Sequence, residues 1–209
     1  MLNKNRCILY AITDRTWLNG RTLEDVVEQS LIGGVDIVQL REKELDFNAF
    51  LDSAIKIKRL TEKYHVPLII NDNIEVCIQS NADGVHIGQG DTPLGDARKI
   101  LGKDKIIGVT AKTIKQAQEA QLNGADYIGV GAMFGSTTKK DAIPLTFEQL
   151  SDIRKSVTIP IVAIGGITAN NIQKFKNTGV DGIAVVSAIY GENDIKSATK
   201  NLLDEISKF

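Results

Sequence analysis

Short apolar runs and amphipathic stretches alternate along the whole chain, and the period of the apolar positions changes at each transition. Cys7–Thr13 reads as a strand, and Thr22 then opens a helical stretch. Glu24 and Asp25 fall in its first turn, where the positive end of the helix dipole favours carboxylates. Asp36–Leu40 is the next strand, followed by a long helix over Phe47–Tyr64 with apolar residues at Phe50, Leu51, Ala54, Ile57 and Leu60. Pro67 precedes the strand Leu68–Ile70, and Ile74–Gln79 reads as a short helix. Gly84–Ile87, Lys105–Val109, Tyr127–Val130, Ile159–Ile164 and Gly182–Val186 continue the strands. The helices between and after them are Pro93–Leu101, with its proline near the first helical position, then Ile114–Leu122, Phe147–Lys155, Asn170–Lys176 and Ile195–Ile206. Eight strands and eight helices are predicted.

A weak internal repeat supports that count. GGVDIVQL, NADGVHIG, NGADYIGVG and TGVDGIAVV each set a helix-ending Gly or Asn shortly before an aspartate that begins a strand: Asp36, Asp83, Asp126 and Asp181. These are the even strands, and the odd ones are more purely aliphatic. Continuous apolar strands joined by helical crossovers imply a parallel sheet covered by helices. An open doubly wound sheet fits that pattern too. Eight regular units, a four-fold repeat and 209 residues favour a closed (β/α)8 TIM barrel as one domain over residues 1–209, class α/β.

Composition narrows the class without naming a chemistry. Hydrophobic residues make up 43% and charged residues 24%, as in ordinary globular domains. The net charge of −1 supplies no global field for nucleic acid or an anionic membrane, so any anion site must be local. Cys7 and Cys77 lack CxxC spacing and sit in or beside apolar runs, which suits buried free thiols in a reducing compartment. MLNKNRCILYAITD has no apolar region of signal-peptide length, and no 18-residue apolar span occurs, so a cytoplasmic location is expected. The sequence is compatible with a homo-oligomer but does not specify one.

In a parallel barrel the reacting groups stand where strands end and the following loops begin. Those positions hold Gln39-Leu40-Arg41-Glu42-Lys43, Asn71-Asp72-Asn73, His86 to Asp91, Thr110, Ser136 to Lys139, Gly165-Gly166-Ile167 and Val186-Ser187. Seven of the eight ends are polar or glycine-rich. Ser136, Thr137, Thr138, Lys139 and Lys140 put three hydroxyls and two ammonium groups in succession, good donors for phosphoryl oxygens. Asp72 and Asp91 are hard oxygen ligands without a Cys or His cage, which suits Mg2+ shared with substrate phosphates. Helix N-capping is the competing reading for both. Arg41 offers a fork for bidentate phosphate binding, while Lys43 and Lys139 offer point charges. Pairing of Arg41 and Lys43 with Glu42 or Glu44 is the alternative. Gly165-Gly166 and Val186-Ser187 could hold a second anion through backbone N–H groups, or simply form tight turns. His86 reads as a hydrogen-bonded structural residue and His65 as a helix-end residue; no Ser/His/Asp arrangement is present. Two anion sites, one with a metal and one without, suggest an enzyme joining or exchanging two phosphorylated compounds, with a pyrophosphate leaving group at the metal site.

In this order QLREK, IINDN, DGVHIGQGD, GADYIGVGAMFGSTTKKDA, VAIGGI and VVSAI resemble the thiamine phosphate synthase family over most of the chain. That family condenses a hydroxymethylpyrimidine diphosphate with a thiazole phosphate. The resemblance implies that Gln39, Arg41, Lys43, Asn71, Thr110 and Lys139 hold the pyrimidine diphosphate, and Leu40 and Glu42 are expected to bind substrate with them. It implies Asp72 and Asp91 as Mg2+ ligands. Ser136, Thr137, Thr138, Gly166, Val186 and Ser187 would hold the thiazole phosphate. Arg41, Lys43, Lys139 and Thr110 would carry the catalysis, a dissociative step in which pyrophosphate leaves before the thiazole nitrogen attacks. Ala132 and Gly135 stand where the family often has proline, and Thr110 where it often has serine. A related thiazole tautomerase and a non-catalytic phosphometabolite-binding barrel are the rival readings; the retained Asp72, Asp91 and Lys139 argue against the first.

Overall fold

Side-chain oxygens set the helix starts. Thr22, Asp46, Asn73, Thr113, Thr146 and Asp194 each stand just before a helix and accept a hydrogen bond from a backbone N–H three residues on. At Thr146 the Gln149 side chain returns the bond and completes a capping box. The computed structural model describes residues 7–135 and 144–209. In chain order it contains β1 (Ile8–Ile12), α1 (Leu23–Gly33), β2 (Ile37–Leu40), α2 (Phe47–Lys63), β3 (Leu68–Asn71) and α3 (Ile74–Gln79). There follow β4 (Gly84–Ile87), α4 (Leu94–Leu101), β5 (Ile106–Thr110), α5 (Ile114–Leu122), β6 (Tyr127–Gly131) and α6 (Phe147–Ser156). The chain closes with β7 (Ile161–Ile164), β8 (Gly182–Val185), a short α7 (Ser187–Tyr190) and α8 (Ile195–Ile206). All eight strands pair in parallel in sequence order, and β8 returns to β1 to close the barrel. The open doubly wound alternative is thereby excluded.

Four elements differ from expectation. The helix expected over Asn170–Lys176 is only a 3₁₀ turn, Ile172–Phe175. Its buried residues, Ile172 and Phe175, are three apart, the spacing that a three-residue turn eclipses onto one face. A 3₁₀ turn at Arg15–Trp17 and the single-turn α7 were not foreseen. β7 starts at Ile161 rather than Ile159, directly after Pro160, which has no N–H to give a ladder.

Alternation along each strand divides the core in two. Leu9 and Ala11 face the helices, whereas Ile8, Tyr10 and Ile12 face the barrel axis with Ile37, Ile69, Tyr127, Val162 and Ala184. The four repeat aspartates have one shared role. The Leu9, Leu68, Ile107 and Ile161 N–H groups donate to Asp36, Asp83, Asp126 and Asp181 at 2.7–2.8 Å. Each aspartate N–H donates back to the carbonyl of that same residue at 2.8–2.9 Å. Every odd strand is thus clamped at its beginning by the next even strand. Lys58, Arg98 and Arg154 pair with Asp83, Asp126 and Asp181 at 2.9, 2.6 and 3.0 Å. This belt lies at the strand beginnings, opposite the cavity, on the face of such barrels that serves stability.

Candidate active site

A cavity of about 870 Å3 opens over the C-terminal ends of the strands. β2 and the loop after it send Gln39, Arg41 and Lys43 toward it, the end of β3 and its loop contribute Asn71 and Asp72, and the loop after β4 contributes Gly88 to Asp91. Thr110 ends β5, Phe134 and Gly135 follow β6, Gly165 and Gly166 follow β7, and Val186 and Ser187 follow β8. Ten residues expected in the site therefore line one cavity: Gln39, Arg41, Lys43, Asn71, Asp72, Asp91, Thr110, Gly166, Val186 and Ser187. Ser136, Thr137, Thr138 and Lys139 lie outside the described residues.

Leu40 and Glu42 do not line this cavity; along β2 alternate side chains face opposite ways, so Leu40, next to Gln39, turns to the helices. Leu40 is fully buried in the outer core. Glu42 Oε2 accepts from Arg15 Nε at 2.8 Å, and Oε1 has no hydrogen-bond partner among the described residues. The pairing of Arg41 and Lys43 with Glu42 or Glu44 is not what forms. Arg41 Nη1 meets Asp14 Oδ2 at 3.2 Å, its N–H donates to Thr13 Oγ1 at 3.0 Å, and Lys43 Nζ meets Asp72 Oδ2 at 2.5 Å. Asp14 was not foreseen; an acid just past a strand end is its only sequence signal.

Neither metal candidate is a helix cap. Asn73 caps α3, and Pro93 precedes α4 without a side-chain cap. Asp72 has φ 65°, an uncommon conformation for a residue with a side chain, and its N–H donates to the His86 carbonyl at 2.8 Å. Asp91 Oδ2 accepts from the Gly88 N–H at 2.7 Å. Among the described residues no group of three or more His, Cys, Asp or Glu could hold a metal ion. An ion placed by these two carboxylates needs further oxygens from substrate or water, the habit of Mg2+ at phosphate sites.

Gly166 has φ 65°, and a Cβ there would stand 2.5 Å from the Gly135 carbonyl oxygen. Close approach of the β6 and β7 loops thus requires glycine at this rim. Asn171 Nδ2 donates to the Gly166 carbonyl at 2.9 Å and fixes the turn from outside. Phe134 packs on Phe147 and Phe175, both with ring centroids 5.8 Å away.

The floor holds two tyrosines that the strand-end reading passed over. Tyr10 and Tyr127 hydroxyls are 2.9 Å apart, and Tyr127 is 3.0 Å from His86 Nδ1. His86 is hydrogen-bonded on both ring nitrogens, as expected of it, and it also lines the cavity. Burial pushes both tyrosine hydroxyls well above their ordinary range. A tyrosine at an axis-facing position is the available signal, because its hydroxyl must find a partner inside. Cys77 is buried at the foot of α3, away from the cavity, with its thiol pushed up to about 11 by desolvation.

Comparison with known proteins shows the family. A family profile described as thiamine monophosphate synthase matches residues 9–189. A thiamine-phosphate synthase of Clostridium tetani is 52% identical over 203 residues, 97% of each chain. One from Clostridium botulinum is 46% identical over 208 residues, 100% of this chain and 98% of that protein. The solved structure of a Pyrococcus furiosus thiamine phosphate pyrophosphorylase superposes with a TM-score of 0.89 at 35% identity, covering 98% of both chains. With a closed eight-stranded barrel whose cationic and carboxylate residues gather at one mouth, this chain belongs to the thiamine monophosphate synthase family.

Proposed function

We propose that the chain is a transferase that condenses 4-amino-2-methyl-5-hydroxymethylpyrimidine diphosphate with 4-methyl-5-(2-phosphoethyl)thiazole, or its carboxylated form, to thiamine phosphate and pyrophosphate, the carboxylated form also releasing carbon dioxide. One observation carries the reading at this site: Arg41 and the Lys43–Asp72 pair share a cavity with Asn71, Asp91 and Thr110. A diphosphate needs cations and a carboxylate-bound metal together, and a one-substrate thiazole isomerisation needs no such cluster. In this reading Arg41, Lys43 and Lys139 take the diphosphate, and Asn71, Gln39 and Thr110 orient the pyrimidine end. Gly166, Val186 and Ser187 receive the thiazole phosphate largely through backbone N–H groups, with Ser136, Thr137 and Thr138.

The chemistry follows from that inventory. The C–O bond to pyrophosphate breaks first, and its electron pair leaves on the diphosphate oxygen. The thiazole nitrogen lone pair then forms the new C–N bond to the exocyclic carbon. Asp72 and Asp91 would hold Mg2+, which when bound supplies charge neutralisation to the leaving diphosphate. No strong general base is required, in keeping with a site whose ionisable groups are mainly cations and metal-type carboxylates. Arg41, held by Asp14, and Lys43 stabilise charge that grows as the bond breaks, and the shared cavity aligns the two reactants. Mass spectrometry after incubation with both substrates and Mg2+ tests the reading. Thiamine phosphate and pyrophosphate in equal amounts are expected, and binding of either compound without product refutes it.

A further inference from the structure

A hydrogen-bonded chain crosses the barrel interior beneath the cavity and joins five strands. Gln39 Nε2 donates to the Tyr10 hydroxyl at 2.9 Å, and that hydroxyl lies 2.9 Å from the one on Tyr127. Tyr127 reaches His86 Nδ1 at 3.0 Å, and His86 Nε2 reaches Thr110 Oγ1 at 3.0 Å. The barrel makes room for it. A Cβ on Gly108 would fall 2.0 Å from Tyr127 Cζ, and one on Gly129 would fall 3.0 Å from His86 Cε1.

The two ends of the chain differ chemically, and that gives it a direction. An amide nitrogen only donates, so at Gln39 the Tyr10 oxygen accepts. Tyr10 is 1% exposed, and among the described residues its hydroxyl meets only Gln39 and Tyr127. Its proton is satisfied only if given to Tyr127. The Tyr127 proton then goes to His86 Nδ1, which must be bare. The ring proton sits on Nε2 and goes to Thr110 Oγ1, which leaves the Thr110 proton at the cavity. Run the other way, the chain strands the Tyr10 proton in a buried site, a cost that disfavours that arrangement roughly tenfold or more.

We infer that Tyr10, Tyr127 and His86 are positioning residues, and that this directional chain presents Thr110 to the substrate as a hydrogen-bond donor. The identity of the substrate rests on the synthase reading above, whereas the direction of the chain does not. The substrate atom at Thr110 is accordingly a bare acceptor, a diphosphate oxygen or a ring nitrogen without hydrogen. High pKa values hold both tyrosine protons in place.

Two measurements test this. The chain has two histidines, His65 and His86, so the imidazole 15N spectrum of the unsubstituted protein is assignable with His65→Gln. A proton on Nε2 alone is expected at His86. A proton on Nδ1, alone or with Nε2, overturns the inference. The second measurement is a cycle of Tyr127→Phe and Thr110→Val. Tyr127→Phe is expected to lower kcat/KM about tenfold when Thr110 is present and by less than about twofold in the Thr110→Val background. Effects that simply multiply overturn the inference, because Tyr127 then acts independently of Thr110. If Tyr127→Phe does not fold, the His86 spectrum decides. An unsubstituted protein that makes no product fails the synthase reading and leaves the spectrum to settle the direction.

Discussion

Asp72 is held in a left-handed conformation, φ 65°, and faces the Lys43 ammonium at 2.5 Å. Such a conformation costs about 1–3 kcal/mol and persists where surrounding contacts over-determine it, commonly at functional sites. Here the His86 carbonyl and Lys43 do so. Asp72→Asn keeps the shape and removes the charge. Turnover is expected to fall roughly 100-fold with its Mg2+ dependence weakened and the far-ultraviolet circular dichroism unchanged. Full activity with the original Mg2+ titration would refute the metal assignment. Lys139 and Lys140 lie outside the described residues, so their prediction rests on sequence. Lys139→Ala is expected to slow single-turnover bond breaking about 10²–10³-fold with a smaller change in affinity, and Lys140→Ala to be close to neutral. The reverse outcome would put the phosphate-binding lysine one residue later.

Each even strand carries, at its start, the aspartate that fixes the strand before it. The belt explains why the sequence repeats at this point and nowhere as clearly elsewhere. Asp83 is the case with most at stake: it receives the Leu68 N–H at 2.7 Å and two contacts from Lys58, whose side chain is 11% exposed. Asp83→Ala leaves a strand N–H and a nearly buried ammonium without that partner. Destabilisation of about 1–3 kcal/mol is expected, read from urea unfolding. Because the belt sits at the opposite end of the strands from the cavity, kcat of the folded fraction is expected to stay within about twofold. A large loss of kcat with unchanged unfolding would show that the belt serves the site rather than the barrel.

Closure of the whole barrel ties proton binding to folding. Tyr10, Tyr127 and Tyr190 are fully buried, and desolvation is the chief cause raising each above the ordinary value of 10.0. Their folded pKa values exceed the unfolded ones, so between the two the native state binds more protons and stability falls as pH rises. The contribution is complete below pH 10 and is lost progressively above it. Tyrosinate absorbance is therefore expected to rise in step with loss of circular dichroism above about pH 10, with three of the four tyrosines appearing only on unfolding. Ionisation of these three in a still-folded protein would contradict the buried axis. Among the described residues no helix is long and apolar enough to cross a membrane, in line with a core directed inward throughout.

Local pattern determined most of the scaffold. Short continuous apolar runs and capped amphipathic stretches place most strands and helices within a residue or two, because both depend on neighbours close in sequence. The rim was legible for the same reason: a strand that ends in Arg, Asp or Gly announces it in consecutive letters, and its polar residues have no place in a core. Tertiary structure decided the rest. Only the tertiary fold sends Gln39, Arg41 and Lys43 to the cavity, Leu40 to the helices and Glu42 to Arg15. Only the backbone shows that Asn73 rather than Asp72 caps α3. The expected helix at Asn170–Lys176 shrank to one 3₁₀ turn because just two of its residues find burial against the barrel. The chain from Gln39 to Thr110 was invisible in the sequence, since the tyrosines at its centre are 117 positions apart. Their hydroxyls have a common partner only because eight strands close on one axis, and no local preference encodes that meeting.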